Sequence, residues 1–222
     1  LKDKQTVKGL RSIGPFLIEG PNLALSGRRD GSFQKGDGLF FNGKKILDGF
    51  HLDIRLDGEE VLPGKGRRSS VKGPWAEIRL LFAGAGFSLI RQHFISPEAD
   101  ALLLEYHFLN EYPEERELEF DLEFSLDGLR GKTCYDEKTG SFILEDEESG
   151  AVVLKVPPRL ADFAAEAEKA RFRCRLYLSS FGQKVLHLFI GLGQSPEQAD
   201  KACAFLAERH PEEIRKALGG SA

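Results

Sequence analysis

From Glu117 to Leu126 charged and apolar residues alternate strictly. Leu118, Phe120, Leu122, Phe124 and Leu126 fall on one side, Glu117, Glu119, Asp121 and Glu123 on the other. Successive side chains of an extended chain point to opposite faces, so this period of two predicts a strand half buried against a core. Arg171–Leu178 repeats the pattern, with Phe172, Cys174, Leu176 and Leu178 inward and Arg171, Arg173 and Arg175 outward. The matching alternation and opposite outer charge predict that these two strands are neighbours in one sheet. Further strands are expected at Phe50–Leu56, Trp75–Phe82, Phe87–Ile95, Ala101–Asn110, Ser141–Leu144 and Ala151–Val156. Lys184–Ile190 is apolar on both faces and predicts a central strand covered on both sides. Asp57-Gly58, Ala83-Gly84-Ala85-Gly86 and Ser149-Gly150 supply the positive φ that tight reversals need. So many one-sided strands require a second layer, which predicts an all-β, two-sheet antiparallel sandwich laid out as a meander.

Helical signals concentrate at the C-terminal end. Ser195 is a good N-cap, Pro196 suits the first helical position, and Gln198 completes a capping box. Ala199, Ala202, Cys203 and Leu206 then recur at helical spacing as a narrow apolar stripe suited to close packing. Pro211 restarts a short helix through Leu218, ended by Gly219-Gly220. The chain therefore divides into a β-sandwich domain (1–192) and a helical connector (193–222). Residues 159–170 fit two templates. Leu160, Phe163, Ala164 and Ala167 have helical spacing, while Phe163, Ala165 and Ala167 alternate as a strand into Ala170; alanine content leans toward helix.

With 222 residues, 41% of them hydrophobic and 30% charged, the chain can bury a core and stay soluble. A net charge of −4 argues against nucleic acid as a partner. No apolar run approaches a bilayer span and no secretory signal is present, so no membrane partner and a cytoplasmic location are expected. Cys134, Cys174 and Cys203 lie far apart and read as reduced thiols. His51, His93, His107, His187 and His210 are scattered singly, without metal-ligand spacing. Nucleophile-elbow, zincin and phosphate-loop motifs are absent, and Gly84-Ala85-Gly86 is a hairpin turn rather than a dinucleotide fingerprint. No catalytic residue, metal or cofactor is therefore assigned. The acidic and basic rows read as solvated strand faces, and Lys65-Gly66-Arg67-Arg68 as a charged turn. Trp75, a lone tryptophan at a strand start, and Phe40 and Phe41, beside Gly36-Asp37-Gly38, are the candidate substrate-binding residues. Each could equally fill the core, but an aromatic face can stack on a sugar ring.

The segment Leu23 to Pro63 carries a resemblance. It reads Leu-Ala-Leu-Ser-Gly at 23–27, Asp30-Gly31-Ser32, Gly38-Leu39-Phe40-Phe41, then Ile54-Arg55-Leu56-Asp57-Gly58-Glu59-Glu60-Val61. This resembles the N-terminal domain of glycogen-debranching-type glycosidases. Ile90-Arg91 through Asn110 looks like the same domain's next hairpin, and Gly191 to Leu206 like the connector into that family's (α/α)6 barrel. Where the family often carries Asp-Thr-Arg after the Gly-Leu-Phe strand, this chain has Asn42-Gly43-Lys44-Lys45, so no substrate contact of that loop is carried over.

The resemblance implies a non-catalytic sandwich domain of a debranching-like α-glucan hydrolase, of the amylo-α-1,6-glucosidase kind. Its partner would be an (α/α)6-barrel domain of the same polypeptide and, through it, an α-glucan. The acid and base carboxylates would lie on that barrel. Two other readings stand beside it: a free-standing carbohydrate-binding or protein-interaction sandwich, and a self-contained, epimerase-like enzyme using a His and a Glu. A His and a Glu brought within hydrogen-bond reach in a cleft would favour the last.

Overall fold

The structure is a computed structural model. It describes residues 14–62, 67–82, 85–125, 131–136, 138–146, 150–155, 161–166 and 169–209. The chain begins with a four-stranded sheet of β1 (Pro15–Glu19), β2 (Leu23–Arg28), β3 (Gly38–Phe41) and β4 (Lys44–Leu47). It opens a second sheet with β5 (Gly49–Leu56) and β6 (Glu59–Glu60). A third and largest sheet follows with β7 (Arg67–Lys72), β8 (Trp75–Phe82), β9 (Phe87–Ile95) and β10 (Ala101–Asn110). The chain returns to the second sheet for β11 (Arg116–Ser125) and to the third for β12 (Lys132–Asp136), β13 (Ser141–Asp146) and β14 (Gly150–Lys155). It goes back to the second for β15 (Ala161–Glu166) and β16 (Lys169–Leu178), and enters the third again for β17 (Gln183–Gly193). Helix α1 (Pro196–Ala207) follows.

The all-β sandwich architecture is as expected: two smaller sheets together face the large one, though the strand order is not a simple meander. In the eight-stranded sheet β17 sits between β14 and β10; in the five-stranded sheet β11 sits between β16 and β5. Residues 159–170 correct the helical lean: Ala161–Glu166 is a strand paired antiparallel with β16. Neighbouring backbone at the sheet edge outweighs the helix propensity of alanine there. The second helix expected from Pro211 lies outside the described residues.

The charged rows meet as predicted. β11 and β16 are antiparallel neighbours with Glu119 opposite Arg175, Asp121 opposite Arg173 and Glu123 opposite Arg171. Arg173 grips Asp121 bidentately at 2.8 and 3.0 Å, which with that hydrogen bonding holds the Asp121 carboxyl below its usual range. Arg175 bridges Glu117 at 2.9 Å and also reaches Glu119. Beneath them Phe108 of β10 stacks on Phe120 of β11 with ring centroids 5.0 Å apart, tying the eight-stranded sheet to the five-stranded one. His93 on β9 meets Phe50 of β5 at 5.3 Å and Phe16 of β1 at 6.1 Å, so both smaller sheets cover the same inner face of the large sheet.

Helix α1 lies on the opposite, outer face, against β17, β14 and β10. Its buried residues are Ala199, Ala202, Cys203 and Leu206, the stripe the sequence spacing marks out. Ser195 accepts from the Gln198 amide at 3.4 Å, but the Gln198 side chain accepts from the Gln194 amide at 2.9 Å, so the capping box closes one residue early. The close approach depends on a glycine in β17. A Cβ on Gly191 would fall 2.0 Å from the Ala199 carbonyl oxygen and 2.8 Å from Cys203 Sγ.

The residues behind the family resemblance hold the framework. Asn110 is buried and donates to the Glu114 and Ser179 carbonyls at 2.7 and 2.9 Å, while accepting from the Tyr112 amide at 3.1 Å. It thereby joins the β10–β11 and β16–β17 turns. The Asp30-Gly31-Ser32 turn, closed by the Ser32 amide on Asp30 at 3.0 Å, lays the Gly31 backbone against the Arg91 guanidinium.

Candidate functional site

On β10, Leu102, Leu104, Tyr106 and Phe108 face the core. The alternate residues face outward, where α1 covers Ala101 and Leu103 and stops short of Glu105 and His107. Register then assembles a row from four strands. Glu77 of β8 lies opposite Gln92 of β9, Gln92 opposite Glu105 of β10, and Glu105 opposite His187 of β17. The next row toward the helix is Trp75, Phe94, Leu103 and Phe189, an apolar strip beside the polar one.

Glu105 is the centre of this face. Its side chain is only 3% exposed. His187 donates from Nε2 to Oε2 at 2.7 Å, and His107 donates from Nε2 to Oε1. Gln183 donates to His107 Nδ1 at 2.9 Å, which complements donation from its Nε2 to Glu105. Alongside, Gln92 donates to Glu77 Oε2 at 2.9 Å and Arg79 to its Oε1 at 2.7 Å. His187 is the solvent-reaching member, with 36% of its side chain exposed against 15% for His107. A carboxylate-held imidazole is the arrangement that orients a general base and stabilises its protonated form. His187 Nδ1 is the ring nitrogen left for a ligand. Both Nε2 atoms are engaged by Glu105, and among the described residues no group of three His, Cys, Asp or Glu is placed to hold a metal ion.

Of the sequence candidates, Trp75 comes to this face. It is partly buried against the cluster of Phe94, Leu103, Ala202 and Leu206, one row from Glu77 and Gln92. Phe40 and Phe41 lie elsewhere, on β3. Phe41 is 5% exposed and belongs to the main core, and Phe40 is half-buried. Sequence reading treats the histidines as scattered and passes over Glu105. The available signal was a Glu and a His, two apart, interrupting an otherwise apolar strand.

No family model and no curated protein matches the sequence. Solved structures do match in fold. A candidate kojibiose phosphorylase from the human microbiome superposes with a TM-score of 0.67 at 12% identity, covering 93% of this chain and 34% of its own. A bacterial glucoamylase complexed with acarbose gives 0.65 at 8%, covering 94% and 36%. A galactose mutarotase-like protein from Lactobacillus casei gives 0.55 at 10%, covering 81% of this chain and all of its own (100%). The chain thus spans about a third of the first two proteins and matches the third along its length. These likenesses establish a sandwich fold shared with carbohydrate-active proteins.

Proposed function

We propose that this chain is the β-sandwich domain of a larger α-glucan-acting enzyme of the glycogen-debranching kind, a scaffold whose catalytic carboxylates lie on an adjoining (α/α)6 barrel. One observation carries this reading: the fold of nearly the whole chain recurs as about a third of a kojibiose phosphorylase candidate and of a glucoamylase. The outer face of the eight-stranded sheet, where α1 already packs, is the side on which we place the barrel. Cys134, Cys174 and Cys203, none of them joined in a disulfide, support a reducing, cytoplasmic setting. Among the described residues no helix is long and apolar enough to cross a membrane. The test is the gene. An open reading frame continuing past Ala222 for about 400 residues of helical periodicity supports the proposal; a stop codon there refutes it.

The Glu105–His187 pair favours a second reading, a self-contained sugar epimerase. Opening an aldose ring requires a base to take the anomeric hydroxyl proton and an acid to protonate the ring oxygen. His187, held by Glu105, supplies a group able to do either. Polarimetry of freshly dissolved aldoses with the purified chain decides. Mutarotation accelerated by the parent and lost in Glu105→Gln, with the fold intact, would replace the scaffold reading; no acceleration removes the epimerase.

A further inference from the structure

Arg91 lies in the interior of the sandwich, 4% exposed, on the inner face of β9. A guanidinium keeps its proton in any protein environment, so this is a permanent buried charge. Nη1 donates to the Gly31 carbonyl at 3.3 Å. Nε and Nη2, the edge that forms the side-on bidentate fork for anions, have no partner. Opposite Arg91 in register stands Tyr106, fully buried, its hydroxyl also unpartnered. Two residues along β9, His93 is 1% exposed with neither ring nitrogen bonded.

These groups form one cluster. The Arg91 guanidinium is 5.8 Å from the Tyr106 ring and 5.9 Å from that of Phe50, and Phe50 stands edge-on to His93 at 5.3 Å. Burial holds the Tyr106 phenol above its usual range, so it keeps its proton. Burial, and then the charge of Arg91, drives His93 well below 6.5, so it is neutral with one N–H to give. Every member can donate, and among the described residues no carboxylate pairs with Arg91. Water could accept these hydrogen bonds but could not balance the charge, and an unbalanced buried charge is strongly unfavourable.

We propose that a small monovalent anion of halide size occupies the Nε–Nη2 fork of Arg91, completed by the Tyr106 hydroxyl and an N–H of His93. The enclosure sets the size. Gly31, at φ 86°, brings its backbone so close that a Cβ would lie 2.9 Å from Nη1, and Phe33 packs on Phe50 at 4.7 Å. Such crowding favours a monoatomic ion over a sugar phosphate or a carboxylate ligand.

The chain, dialysed into sodium gluconate, is titrated with chloride or bromide at constant ionic strength while its thermal unfolding is followed. Tm rises with the logarithm of halide concentration, because an ion bound only by the folded state stabilises it by mass action. In Arg91→Met, an apolar replacement of a lone buried charge, the halide response is lost while the fold is kept. Tyr106→Phe weakens the apparent halide affinity by about tenfold, the loss of one hydrogen bond to a charged group. Crystals grown in bromide show an anomalous peak at the fork. Equal Tm in halide and gluconate, or a halide response surviving in Arg91→Met, overturns the proposal. Should Arg91→Met not fold, a bromide crystal without a peak at the fork overturns it as well.

Discussion

His93 makes a quantitative demand on the pH dependence of stability. Its ring is buried between Phe16 and Phe50, and desolvation, reinforced by Arg91, holds its pKa well below the 6.5 of the unfolded chain. The folded state therefore keeps His93 neutral where the unfolded state takes up a proton. The resulting stability is complete above about pH 6.5 and falls as the pH drops from there toward the folded pKa. Between the unfolded and the folded pKa the loss steepens toward a limit of about 1.4 kcal/mol per pH unit. Even one such unit is a sizeable share of the roughly 5–15 kcal/mol of a typical domain. The window lies above the range in which the depressed Asp121 carboxyl contributes. Its stabilisation, present above about pH 4, is lost only on further acidification. The perturbation is His93→Leu, close in volume and without a proton to gain, read by urea unfolding of both proteins in halide-free buffers from about pH 8 to 4.5. As the pH falls below about 6.5 the parent should lose stability faster than the variant, by up to about 1.4 kcal/mol per pH unit. Parallel curves for the two proteins would show that His93 reaches solvent, or a compensating acid, in the folded state.

Three further outcomes follow from the packing. Arg173→Met, which strips a bidentate partner from the nearly buried Asp121, should cost about 1–3 kcal/mol in urea unfolding, and Arg175→Met, at a mostly exposed pair, less than about 1 kcal/mol; equal losses would refute the distinction. Gly191→Ala should destabilise by about 1–3 kcal/mol and open α1 to limited proteolysis, since its Cβ enters the Ala199 carbonyl; an unchanged melt and digestion pattern would mean that α1 does not seat on β17. Of the three cysteines only the exposed Cys134 should react promptly with a disulfide reagent at neutral pH. Cys174 is buried, and burial pushes the Cys203 thiol up to about 12. Prompt labelling of two thiols would contradict this.

The sequence revealed most where one strand carries its own evidence. Trp75–Phe82, Phe87–Ile95 and Ala101–Asn110 begin and end where alternation and turn residues place them, and the charges of β11 and β16 name each other as partners. The short strands β1, β4 and β7 have too few alternations to stand out. The Ala-rich β15 follows a preference set by β16 rather than by its own residues. The candidate site was hidden for a topological reason. Glu105 and His187 are 82 residues apart, and nothing local to either says that β17 inserts beside β10. Arg91, by contrast, was visible as part of the Ile90–Asn110 resemblance, while its burial was not.

The late insertion of β17 also bears on the order of assembly during synthesis. The large sheet comprises β7–β10 on one side and β12–β14 on the other, and only β17 joins them. Until residues 183–193 leave the ribosome, β10 and β14 each present an unpaired edge flanked by apolar side chains, the kind of surface that recruits other chains. Closure also waits on pairings distant in sequence, which fold slowly. The nascent chain thus passes through an interval in which most of its strands exist but its largest sheet is still in two halves, and a ribosome stalled before residue 183 would hold a species prone to aggregate.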